Sequence, residues 1–154
     1  MAYQPEIRQA AIHQVTFGKQ VVIYEPVNLY GCTLGDGVFI GPFVEIQKNS
    51  VIGAGSKIQS HCFICEYVTI GERCFIGHNV TFANDLFRDG KPNPDPASWG
   101  RTRIGDEVSI GSGATVLAVE ICAGAVIGAG SVVTKSITEK GIYAGNPARL
   151  LRRL

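Results

Sequence analysis

Residues 34–82 read LGDGVF IGPFVE IQKNSV IGAGSK IQSHCF ICEYVT IGERCF IGHNVT F, and set out in sixes the stretch displays its own period. Each block opens on an aliphatic or aromatic residue: Leu34, Ile40, Ile46, Ile52, Ile58, Ile64, Ile70, Ile76 and Phe82, nine positions six apart without a break. Four residues on, most blocks carry a small or β-branched side chain: Val38, Val44, Ser50, Ser56, Cys62, Val68, Cys74 and Val80. Glycine often follows the opening residue, as at Gly41, Gly53, Gly71 and Gly77. An amphipathic helix repeats its apolar positions about every 3.6 residues and an antiparallel strand about every 2, so neither template fits. A solenoid does. Short β-branched strands form three flat sheets, the opening residue points to the axis, and glycine supplies the corner angles.

The same phase runs back through Phe17, Ile23 and Leu29, and forward through Ile104, Ile110, Val116, Ile121, Ile127 and Val133. Two hexads, Leu29 to Leu34 and Val116 to Ile121, are one residue short. The count is 18 hexads, and at three per turn the expectation is a parallel β-helix of about six coils. One all-β domain over 1–154 is expected, with an inserted loop at 83–103 and a tail at 136–154 ending in a short amphipathic helix, Ala148-Arg-Leu-Leu-Arg-Arg-Leu.

Composition narrows the function. Lysine and arginine number 14 against 13 acidic residues, so there is no basic footprint for nucleic acid or for a membrane surface. No run approaches the roughly 18 apolar residues of a membrane span, and Met1 to Phe17 lacks a leader's basic start and apolar stretch, which points to the cytoplasm. The 5 cysteines show no paired zinc-ribbon spacing, so no metal is expected. Cys62-x-x-Cys65 falls inside the repeat, which turns its two side chains in different directions and favours reduced, structural thiols over a redox pair.

Repeats such as Ile52-Gly-Ala-Gly-Ser-Lys and Ile127-Gly-Ala-Gly-Ser-Val resemble those of the left-handed β-helix acyltransferases, over residues 17–150. Three stretches are similar to a narrower group: Phe39-Ile-Gly-Pro-Phe-Val-Glu-Ile-Gln-Lys-Asn, Phe75-Ile-Gly-His-Asn-Val-Thr-Phe-Ala-Asn-Asp and Tyr143-Ala-Gly-Asn-Pro-Ala-Arg. That group is the nucleotide-sugar N-acetyltransferases of bacterial surface-polysaccharide and lipopolysaccharide O-antigen pathways. The members most alike acetylate the 3-amino group of UDP-2-acetamido-3-amino-2,3-dideoxyglucuronate. The resemblance implies a left-handed coil, acetyl-CoA as co-substrate and a homotrimer with sites between subunits. A dTDP-amino sugar as acceptor, or O-acetylation of a sugar, stays open.

With 18 residues per coil, positions 18 apart stack on one corner, so Glu66 lies under Asn84 and His61 under Asn79. An outward cluster of Glu66, His78, Asn79, Asn84 and Asp85 is expected, with His61 and Arg88 also at the acceptor. Asn84 matches the family's Asn-Asp corner where the sugar is held, although a turn-capping role competes. His78 is a natural base, because an ordinary imidazole is largely neutral at pH 7, but an interface role competes there too. The 22 residues from Phe82 to Ile104, rich in proline and holding the only tryptophan, Trp99, form a loop at the Asn84 corner. Such loops commonly carry binding, against the plainer reading of a solvated excursion anchored by Trp99 and Phe87.

For the coenzyme, the resemblance implies that Ser109, Gly111 and Ala129 lie along the pantetheine arm, while Lys135 and Arg149 could meet phosphates. Outward Phe39, Phe43, Phe63 and Phe75 are candidates for burial between subunits. Two rivals share the fold. A zinc-dependent carbonic anhydrase needs three gathered histidines, and His13, His61 and His78 are scattered. A non-enzymatic β-helical scaffold leaves the Asn-Asp corner and the loop without a purpose.

Overall fold

From Leu34 to Val133 each opening residue ends a strand two or three residues long and turns inward; Ile40, Ile46, Ile52, Ile58, Ile64 and Ile76 are all fully buried. The residue two places earlier is buried as well, so each coil contributes two inward side chains per side. Each buried aliphatic side chain stabilises by roughly 1.5–3 kcal/mol, and coil upon coil these form one continuous core. Where serine takes the second inward place, its hydroxyl is satisfied by backbone: Ser50 Oγ donates to Cys65 O at 2.7 Å and Ser56 Oγ to Gly71 O at 2.8 Å.

The computed structural model describes residues 4–9 and 11–154, so Met1–Tyr3 and Ala10, part of the segment read as lacking a leader, lie outside the described residues. Three sheets of 7, 6 and 8 strands run the length of the solenoid. We number them in the order the chain meets them. Sheet 1 starts at Ile12–His13 and ends at Val132–Val133; sheet 2 runs from Thr16–Phe17 to Glu120–Ile121; sheet 3 starts at Val22–Ile23. All pairings are parallel and in register, as Ile46↔Ile64, Ile52↔Ile70 and Ile58↔Ile76, save one at the C-terminal end. The architecture is the expected β-helix and is consistent with the left-handed coil.

There are about seven turns, not six. The additional opening residues are Ile12, Ile137 and Tyr143, which pair with Leu29, Ile121 and Ile127. They escape a hexad count because Ile12 to Phe17 spans five residues and Val133 to Ile137 four. Every irregular step, including the two short hexads and the long insertion, falls between sheet 1 and sheet 2. Every step at the other two corners is six residues.

The C-terminal helix is not formed. Arg149–Arg153 is a strand, antiparallel to Gly141–Ala144 on sheet 3. Seven residues are too few for an isolated helix to be stable, whereas the sheet edge offers unpaired backbone groups. Gly145, at φ +100°, turns the chain back onto that edge.

The thiols behave as the repeat implies. Burial pushes Cys62 up to about 11 and Cys65 up to about 12, so both stay protonated near neutrality.

Candidate active site

Asn84 stands at the sheet 1–sheet 2 corner, one coil above Glu66, and its Nδ2 donates to Glu66 O at 3.2 Å. The chain then leaves the solenoid and returns to the same point, where Gly100 N donates to Asn84 O at 2.8 Å. With its base tied, the excursion leaves the sheet unshifted, and Thr102 pairs in register with Val68. The Arg101 guanidinium lies 4.7 Å over the Tyr67 ring and anchors the returning strand to the coil below.

The loop is held by its own polar groups. Asp85 accepts from Phe87 N at 3.0 Å through one carboxylate oxygen and from Asn93 N at 2.7 Å through the other. Trp99 Nε1 donates to Asn93 O at 2.9 Å, and Asp95 caps the single 3-10 turn at Pro96–Ser98. Together they enclose a cavity of about 390 Å³ lined by Asn84, Arg88, Lys91, Trp99, Arg101 and Ala118, among others. Asp85, expected at the acceptor, thus spends both oxygens on loop backbone; Arg88 lines the cavity.

Glu66 departs from expectation. It was expected to project outward, but it is only 7% exposed. Its Oε1 faces Lys48 Nζ at 3.6 Å from the coil below, and a carboxylate drawn to a cation along the stacking direction folds against the corner.

The expected single cluster divides. His61, His78 and Asn79 lie on the sheet 3–sheet 1 corner, on the far side of sheet 1 from Asn84, because a whole strand separates consecutive corners. His61 and Asn79 stack in left-handed backbone conformations, φ +64° and +56°, and the His61 ring packs on Phe43 with centroids 4.8 Å apart. His78 Nδ1 is 2.9 Å from Ser60 Oγ. With the proton on Nδ1 that bond is donated to the hydroxyl, and Nε2 keeps its lone pair for a reacting group. Nothing in the repeat singled out Ser60; the signal available was its place 18 residues before His78.

Above His78 the same edge becomes smooth. Ser112, Gly113, Ala129 and Gly130 follow in the next two coils. Gly113 and Gly130 adopt φ +72° and +66°, and an added Cβ would meet nothing within 4 Å. A lower glycine on this edge, Gly77, packs so closely that a Cβ would lie 2.7 Å from Ser112 N. Gly111 and Ala129 belong to this strip, Ser109 to the adjoining strand of sheet 3, and Arg149 to its upper end. Lys135 does not; it follows Val133 on the Asn84 corner. Phe43, 57% exposed, lies on the strip's own corner; Phe39 and Phe75 lie on sheet 3 and Phe63 on sheet 1, so all four flank this edge.

Among the described residues, no group of three or more His, Cys, Asp or Glu is gathered to hold a metal ion. No helix among them is long and apolar enough to cross a membrane.

Two hexapeptide family models match the chain: "Bacterial transferase hexapeptide (six repeats)" over 31–66 and 49–84, and "Hexapeptide repeat of succinyl-transferase" over 101–135. Together they take in more than half of its residues. The bifunctional protein GlmU of Aromatoleum aromaticum is 40% identical over 110 residues, 71% of this chain but 22% of that protein. The chain therefore spans about a fifth of the length of that relative. Among solved structures, PerB of Caulobacter crescentus, in complex with CoA and GDP-perosamine, superposes with a TM-score of 0.66 at 22% identity, covering 92% of this chain and 57% of that one. A hexapeptide-repeat acetyltransferase of Vibrio cholerae, complexed with acetyl coenzyme A, gives 0.67 at 23% identity, covering 80% and 71%. At these identities the likeness is one of fold.

Proposed function

We propose that this chain, which belongs to the bacterial hexapeptide-repeat transferase family, is an acetyl-CoA-dependent N-acetyltransferase acting on the amino group of a nucleotide-linked amino sugar. UDP-2-acetamido-3-amino-2,3-dideoxyglucuronate is the first acceptor to test. The setting is the cytoplasmic phase of bacterial surface-polysaccharide assembly. The observation that carries the reading is the Asn84 corner, where a carboxamide stands at the foot of a loop-built cavity lined by Arg88, Lys91 and Arg101. A nucleotide sugar brings the matching chemistry, hydroxyls and an amine for the carboxamide and anionic groups for the cations. The Caulobacter relative that holds CoA and GDP-perosamine together supports the same pairing of ligands.

Acetyl transfer needs an uncharged nitrogen at the thioester carbon, a donor to the developing oxyanion, and a destination for the amine proton. The small-residue strip above His78 fits a narrow pantetheine arm, with the Ser112 and Ala129 N–H groups, outside the coil-to-coil ladder that holds the glycine N–H groups, to meet the oxyanion and Arg149 at its upper end for phosphate. Acetyl-CoA supplies the activated acyl group when bound there. Asn84 and the loop cavity would hold the sugar, and His78 Nε2 stands free to accept a proton.

These two half-sites occupy different edges of one prism, so one protomer cannot unite them. A homotrimer that sets the His78 edge of one subunit against the Asn84 edge of the next does so, and buries Phe39, Phe43, Phe63 and Phe75 in the process. The decisive experiment incubates the protein with acetyl-CoA and a panel of UDP- and dTDP-linked amino sugars and follows free thiol. Transfer to an amino sugar is the expected result. Transfer only to sugar hydroxyls would replace the reading with O-acetylation, and transfer to nothing would leave the β-helical scaffold.

A further inference from the structure

The Glu66 side chain is nine-tenths buried, yet its Oε2 has no hydrogen-bond partner. Its other oxygen has only the Lys48 ammonium, at 3.6 Å, where a charge-assisted hydrogen bond closes to about 2.7–2.9 Å. An ionised carboxylate offers about four lone-pair sites, so this one is nearly empty. Glu45, lower on sheet 1, shows the contrast: Asn28 Nδ2 and Gln47 Nε2 occupy its two oxygens at 3.1 and 2.8 Å. Buried polar groups are almost always satisfied, and an exception calls for a cause.

The neighbours of Glu66 define what it can accept. Lys48 is half exposed on a flexible stem. Tyr30, two coils below, has its hydroxyl pushed up by burial and then by the charges of Glu45 and Glu66. Cys65 is held neutral by burial and adds no charge. Asn84 lies directly above, bonded to the Glu66 carbonyl. The corner directly beneath Asn84 therefore holds an acceptor-only carboxylate whose single cation is loosely placed.

We infer that Glu66 binds the acceptor's amino group in its ammonium form, in place of Lys48, and takes the proton that frees the nitrogen to attack. The inference rests on the N-acetyltransferase reading. One N–H bond of the ammonium breaks and its proton passes to a Glu66 oxygen. The released lone pair forms the C–N bond at the thioester carbonyl, and the C–S bond breaks. The departing thiolate takes the second nitrogen proton, giving amide and coenzyme A thiol, and Glu66 returns its proton to water.

E66Q keeps the shape and removes the basic oxygens. With UDP-2-acetamido-3-amino-2,3-dideoxyglucuronate as probe, E66Q should lose about 100-fold or more in kcat/KM at pH 7, with acetyl-CoA binding and melting temperature little changed. The deficit should shrink as pH rises and the free amine arrives already neutral, a trend that a merely structural role would not produce. E66D, which keeps the charge but retracts it by one methylene, should be intermediate, and serves alone if E66Q does not fold. Turnover by the native protein with E66Q or E66D matching it across pH overturns the assignment of Glu66 alone. A pH-independent deficit does the same. No turnover by the native protein on any amino sugar overturns the N-acetyltransferase reading and this inference with it.

Discussion

Replacing Asn84 by alanine separates a positioning role from a capping role, because the structure sets a limit on the stability cost. The side chain makes one hydrogen bond, Nδ2 to Glu66 O, at 3.2 Å, the long end of the range. The loop's attachment runs instead through the Asn84 backbone carbonyl and Gly100 N, which the substitution leaves in place. Loss of one such bond at a half-exposed corner costs about 1 kcal/mol or less, a fall in melting temperature of about 2–4 °C for a chain of this size. A contact that orients the acceptor at the acyl carbon is worth more in the transition state, so kcat/KM should fall roughly 10-fold to 1,000-fold, or about 1.4–4 kcal/mol. Acetyl-CoA affinity should stay near the native value, since the small-residue strip lies on another edge. Calorimetric melting, coenzyme binding and free-thiol release on one preparation test all three. Native turnover with a lowered melting temperature would refute the positioning role and leave Asn84 as a cap.

Light scattering on a sizing column should give three times 16.5 kDa, and a stable, active monomer would defeat the shared-site arrangement. Exchange of residues 86–101 for a short glycine linker should keep the β-rich circular dichroism spectrum, since Thr102, beyond the exchanged segment, keeps its own register on Val68. Nucleotide-sugar binding should be lost, and unchanged turnover would make the loop decorative. A thiol reagent should label half-buried Cys122 in the native state and the four buried cysteines only on unfolding. Those buried thiols also set an alkaline limit. With Cys62 raised from 9.0 to about 11, the unfolded chain ionises first, so the contribution is complete below about pH 9 and is lost as pH climbs to about 11. At about 1.4 kcal/mol per factor of ten, Cys62 alone contributes about 3 kcal/mol, and denaturant midpoints that stay flat from pH 8 to 11 would contradict its burial.

The core was legible because it obeys one rule, an inward residue every sixth place, and Leu34 to Phe82 never breaks it. The ends were not legible, since Ile12 and Ile137 arrive after steps of five and four residues. The Arg149–Arg153 segment has apolar spacing that suits a short helix or an edge strand equally, and only the presence of an unpaired neighbour decides. In the candidate site, stacking was readable and lateral distance was not. Eighteen-residue spacing placed Asn84 over Glu66, but His78 and Asn84, six apart, lie on successive corners with a strand between them. The burial of Glu66 needed Lys48, whose reach depends on a rotamer and not on a period.

The one corner that tolerates steps of four, five, six and twenty-two residues acts as an expansion joint. Slack taken up there never propagates, because the next strand is drawn back into the same column by the coil beneath it. Peptides grafted after Lys48 or Ala118 should therefore be absorbed, whereas the same graft after Gly53 or Gly77 would lift glycines out of contacts too close for any side chain. The prism thus has one edge free to vary its outline and two edges ruled straight by constant spacing. On the proposed reading, a lineage built on this plan can exchange the pocket for its acceptor at the variable edge while a track of constant spacing for the donor arm is left untouched.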